Sequence, residues 1–133
     1  MISFLHTSWL VSTSSTLSDI LRKGIHIAIL DSGIDYLHPA LGGGFDPGFK
    51  VIKGYDFAGN AYTGENVPVD SGLDPYTNRS IHGTQAAGII GASQNEYNFI
   101  DVVPIATLSM HKVFGCDGPT QDDILIKATL ATP

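Results

Sequence analysis

The 133 residues carry one cysteine, 7 Lys and Arg against 13 Asp and Glu, and a formal net charge of −6. Hydrophobic residues make up 43%, charged residues 15%, and mean hydropathy is +0.13, which is too apolar and too weakly charged for a disordered chain. One cysteine excludes an internal disulfide framework and a multi-cysteine zinc site. The sequence has no Lys/Arg cluster to track phosphates, so nucleic acid is not expected as a partner, and no apolar run is long enough to span a bilayer.

The first eleven residues are mildly apolar, lack a basic region and are interrupted by His6, Thr7 and Ser8, so they make a poor signal peptide. With the Ser/Thr stretch that follows, they predict a poorly ordered leader over 1–20. Residues 16–23 suit a short helix capped by Thr16 or Ser18 and broken by Gly24. Residues 25–30, IHIAIL, form an Ile-rich run between Gly24 and Asp31-Ser32-Gly33, the pattern of a strand buried on both faces. Pro39, three consecutive glycines at 42–44, Pro47 and Gly48 make 34–48 mostly loop. A second strand is expected over 50–57, then a polar loop over 58–81, long enough to suggest function.

Residues 82–92, HGTQAAGIIGA, hold too much glycine for a helix of high propensity, but suit one that must approach a neighbouring backbone closely. ATLSMHKVF at 106–114 reads as a third strand. Thr120 then reads as an N-cap, with Asp122 and Asp123 in the first turn of a helix running towards Pro133. Strands alternating with helices predict an α/β fold with a mostly parallel sheet.

Two segments concentrate chemistry. Asp31 follows the first strand directly, at the carboxyl edge where open α/β sheets bind ligands. On its own it also suits a turn in which Asp bonds its own backbone. His82 opens the Gly/Ala-rich helix and is either a general base or a helix-start histidine. Together they supply two members of a hydrolytic triad, an aspartate that orients and a histidine that moves protons.

AILDSGID, HPALGGGF, HGTQAAGIIGA and ATLSMHKVFGCDG occur in this order. Over residues 22–130 the chain resembles the N-terminal part of the catalytic domain of subtilisin-like serine proteases, most closely the large secreted fungal type. The resemblance implies an incomplete three-layer fold, with 21–133 a partial catalytic domain. It makes Asp31 the triad aspartate and His82 the triad histidine. It also implies a protein or peptide substrate, an extracellular setting and, in many family members, calcium, for which the sequence identifies no ligands.

Departures accompany the match. Ile81 stands where the family has Gly, Gln85 where it has a second His, and Asp101-Val102-Val103-Pro104 where it has Gly-Val-Ala-Pro. No segment matches the family's nucleophile motif, and no G-x-S-x-G occurs. In subtilisin, loss of the serine alone costs about two million-fold in kcat. The expectation is therefore a truncated serine endopeptidase, inactive by itself, with its first strand left as a sheet edge through which it associates. The alternatives are a non-catalytic remnant that binds peptide or a related protease, and an unrelated α/β ligand-binding module. Asn78-Arg79-Ser80 is a glycosylation sequon. Cys116 reads as a buried or loop residue, His38 as structural, and His26 and His111 as packing or surface positions. His82 and Asp31 alone make a poor metal site.

Overall fold

The computed structural model describes residues 24–69, 72–93 and 101–132. The expected leader and the helix over 16–23 lie outside them. Three strands form one parallel sheet: β1 (His26–Asp31), β2 (Val51–Asp56) and β3 (Thr107–Lys112). Their order is β1-β3-β2, so β1 and β2 are the edges among the described residues. β1 runs in register with β3 from His26 opposite Thr107 to Asp31 opposite Lys112. β2 slips by one residue between Val51 and Lys53.

Ile29 and Leu30 are neighbours in sequence but belong to different cores, because side chains alternate across a strand. Ile29 packs with Leu108, Met110, Val51, Ile34, Leu41 and Ala87, the last supplied by helix α1 (His82–Gly91). Leu30 packs against a second cluster of Phe57, Ala58, Tyr62, Val113, Ile124 and Ala128. Ile124 and Ala128 come from helix α2 (Asp122–Ala131). One helix therefore lies on each face of the sheet, which is why both residues of the β1 pair are apolar.

α1 buries Gly83, Ala87 and Gly91. The four-residue spacing puts these small side chains on one face and lets the helix sit low on the sheet. The loop over 34–48 contains a 3-10 turn at Pro39–Leu41, whose Ala40 N–H donates to His38 Nδ1 at 3.2 Å. The long loop after β2 is tied at both ends. The Cys116 N–H donates to Asn60 O at 2.9 Å, and Ile34 and Thr77 exchange backbone bonds with Pro75 and Ile34 at 3.1 Å each.

The start of α2 differs from expectation. Gln121, not Thr120, is the N-cap residue, and its side chain makes no cap bond. Its amide donates instead to Gly64 O at 2.6 Å, binding the helix start to the long loop. Thr120 Oγ1 is buried without a partner. Tertiary demand on Gln121 displaces the local cap that the sequence pattern suggested.

Candidate active site

Asp31 is the last residue of β1, and its carbonyl accepts from Val113 N–H at 2.8 Å, so β3 fixes its backbone. Gly33 turns the chain away with φ +99, and a Cβ there would meet Pro75 O and Thr77 Cγ2 at 2.8 Å. Only glycine suits that conformation in that space. The carboxylate of Asp31 accepts from its neighbour Ser32 N–H at 2.6 Å.

His82 is the first residue of α1. Its Nδ1 lies 2.8 Å from Asp31 Oδ1 and 2.9 Å from Oδ2. A carboxylate only accepts, so Nδ1 carries the proton and Nε2 is left as the basic nitrogen of the neutral ring. The Asp31 side chain is 11% exposed and that of His82 is 78% exposed. The arrangement thus holds a buried acceptor behind an imidazole that faces solvent.

This approach depends on Gly83. A Cβ at Gly83 would stand 2.1 Å from Gly33 O and 3.2 Å from Asp31 Cβ. Ser32 adds a second tie, since its Oγ accepts from Gly83 N–H at 3.2 Å and from Ser80 Oγ at 2.8 Å. Thr84 adds a third by accepting from Asp35 N–H at 2.8 Å. Residues about fifty positions apart in sequence are joined three times within one helical turn.

A cavity of about 310 Å³ opens beside the pair, lined by Asp31, Ser32, Ser80, His82, Phe114, Gly115, Cys116 and Gly118. Of these lining residues, the sequence pattern singled out only Asp31 and His82 for chemistry, and Cys116 read as a buried or loop residue. The segment Phe114 to Gly118 follows β3 as Asp31 ends β1, and the carboxyl-edge rule applied to the third strand would have found it. Both cavity hydroxyls, Ser32 and Ser80, are engaged with each other. Ile81 is 68% exposed beside His82, and Gln85 is exposed one turn along α1. Among the described residues no group of three or more His, Cys, Asp or Glu is placed to hold a metal ion, so they offer no carboxylate cluster that fits calcium.

Beneath the site, the Lys112 side chain is buried. Its Nζ donates to Asp56 Oδ2 at 2.9 Å and to Asn60 Oδ1 at 2.7 Å. The other oxygen of Asp56 accepts from the N–H groups of Ala58 and Gly59 at 3.0 and 2.7 Å. A buried ion pair needs such added bonds to offset desolvation. Its consequence is local order: Lys112 Cδ is the floor against which a Cβ at Gly33 would press at 3.0 Å.

Neither His26 nor His111 lines this cavity. His26 bonds Thr107 Oγ1 and Ser109 Oγ through its two ring nitrogens, at 3.1 Å each. His111 is buried, and neither ring nitrogen has a partner.

A model of the subtilase family of peptidases, Peptidase S8, matches residues 22–131. The chain belongs to the subtilase family. Its curated relatives include the minor extracellular protease Vpr of Bacillus subtilis, 38% identical over 96 residues, covering 72% of this chain and 11% of that protein. Subtilisin E of the same species is 34% identical over 99 residues, covering 74% of this chain and 21% of its own length. Neuroendocrine convertase 2 of Bos taurus is 35% identical over 112 residues, covering 82% of this chain and 15% of the convertase. The subtilase chain thus spans well under a third of the length of each of these relatives. They are bacterial and bovine, and give no support to the fungal type. The crystal structure of the epidermin leader peptide processing serine protease of Staphylococcus aureus shares the fold, with a TM-score of 0.61 at 24% identity, over 86% of this chain and 26% of that one. No described helix is long and apolar enough to cross a membrane.

Proposed function

We propose that this chain supplies the aspartate and histidine of a subtilisin-like serine endopeptidase that acts on protein chains. The observation that carries the reading is His82 Nδ1 within 2.9 Å of both oxygens of a buried Asp31, beside an open cavity. Asp31 orients the ring and stabilises the imidazolium. His82 Nε2 takes the proton of an attacking serine and returns it to the leaving amine as the acyl-enzyme forms. That serine is assigned to sequence outside these 133 residues, so the chain alone is expected to be inert. Likeness to a relative named extracellular supports an extracellular setting for the protein. β1, at the sheet edge, is where a further strand pairs, and slowed amide exchange in β1 on association would show it.

The test is fluorophosphonate labelling of the protein that contains this chain together with a downstream serine segment. Labelling is expected, and Asp31→Asn should slow turnover by about 10⁴-fold because the ring loses its fixed tautomer. An Asp31→Asn enzyme as fast as the parent would sink the assignment. Ile81, exposed beside His82, favours one other reading, a peptide-binding remnant. Peptide binding at His82 without any labelling would select it.

A further inference from the structure

On the α2 side of the sheet, away from Asp31 and His82, lies a second cavity of about 260 Å³. Lys53, Tyr55, Phe57, Leu73, His111 and Ala131 form its walls, and it shares no lining residue with the first. His111 is 4% exposed, and both its ring nitrogens lack a hydrogen-bond partner. Buried polar atoms in native proteins nearly always have one, so an orphaned ring at a cavity wall marks missing ligand or solvent.

The surroundings narrow what can fill it. The His111 ring stacks on Phe57 with centroids 6.0 Å apart, and Phe57 packs on Tyr55 at 4.5 Å. Lys127 of α2 holds its Nζ 5.4 Å from the Phe57 centroid. The charged and titratable groups acting on His111 are Lys53 of β2 and His26 of β1. The nearest carboxylate in sequence, Asp56, is bonded to Lys112 and to two backbone N–H groups. The cavity is therefore aromatic in its walls and cationic in its charge.

We propose that this cavity binds a small organic carboxylate. Its head lies between the Lys53 ammonium and the His111 ring, and its apolar body lies against Tyr55, Phe57, Leu73 and Ala131. His111 turns a buried ring N–H to the carboxylate, Lys53 adds a charge-assisted bond, and a mostly apolar wall with a few convergent polar groups is the usual form of a small-molecule site. The site is independent of the peptidase reading.

Benzoate is the probe, and the whole 133-residue chain is titrated at neutral pH while the His111 and His82 ring protons are followed by NMR. A saturable shift at His111 is expected, with His82 unmoved. Benzamide, of the same shape without the charge, should bind at least about tenfold more weakly, as should benzoate to Lys53→Met. Lys53 is exposed, so that variant should keep its fold, and unchanged His82 signals report that it has. His111→Phe keeps the stacking and should lose binding, read through Tyr55 and Phe57. The absence of a saturable shift, equal binding of benzamide, or indifference to Lys53→Met would overturn the proposal and leave the cavity to water.

Discussion

Position 83 tolerates no side chain, whereas position 88, on the same helix, has room for one. A Cβ at Gly83 would collide with a backbone oxygen at 2.1 Å, and backbone cannot swing aside as a side chain can. A Cβ at Gly88 meets nothing within 4 Å. Alanine improves helix propensity at both sites by about 1 kcal/mol, but at position 83 overpacking costs about 1–3 kcal/mol and wins. Gly83→Ala should lower the urea midpoint and separate His82 from Asp31, while Gly88→Ala should raise stability by about 0.5–1 kcal/mol. Denaturation of the two variants checks the sign. Asp31 and His82 stood out in the sequence because each sits in a short, recognisable segment, and the fold brings their side chains together. The Ser80, Ser32 and Gly83 contacts were not legible, since they join residues 48 and 51 positions apart and no local pattern encodes them. Lys112 likewise read as an ordinary strand residue. Its burial rests on Asp56 and Asn60, more than fifty positions earlier.

Among elements, those with two apolar faces read best from sequence. The run 25–30 foretold β1 to within a residue, because a strand between two helix layers has no polar side to blur its pattern. α1 was legible for the opposite reason, its glycines marking close approach where propensity opposed a helix. α2 was placed correctly but capped wrongly, since Gln121 serves the long loop and Thr120 Oγ1 is left buried and unpartnered. That has a measurable sign. A working cap would make Thr120→Val cost about 1 kcal/mol. An unpartnered hydroxyl makes the same change neutral or stabilising by up to about 1 kcal/mol, because the isosteric methyl removes a desolvation penalty. Thr120→Val is therefore expected to unfold at an equal or higher urea concentration than the parent.

For the whole molecule, the two strand histidines set a pH response. Burial, then Lys53 and then His26 hold His111 below its ordinary value. Burial and then Lys53 do the same for His26. Unfolding releases both to about 6.5, so in the window between their lowered folded values and about 6.5 the unfolded chain binds more protons. Stability should be fully present above that window and fall as pH falls through it. Urea denaturation from pH 7.5 down to 5 should show the decline, and His111→Phe should make it shallower. A decline of equal slope in that variant would assign the response to other groups.

The parallel order β1-β3-β2 also bears on time. Among the described residues β1 has no hairpin partner, and its first ladder residue, His26, meets Thr107 only 81 residues later. At about 5–20 residues per second on a ribosome, that is roughly 4 to 16 seconds during which Asp31 has emerged with nothing to hold its backbone. His82 leaves the ribosome within the same interval, 51 residues after Asp31 and ahead of β3. The Asp31–His82 pair is thus assembled after synthesis of both its members, and the nascent chain passes through its early life without it.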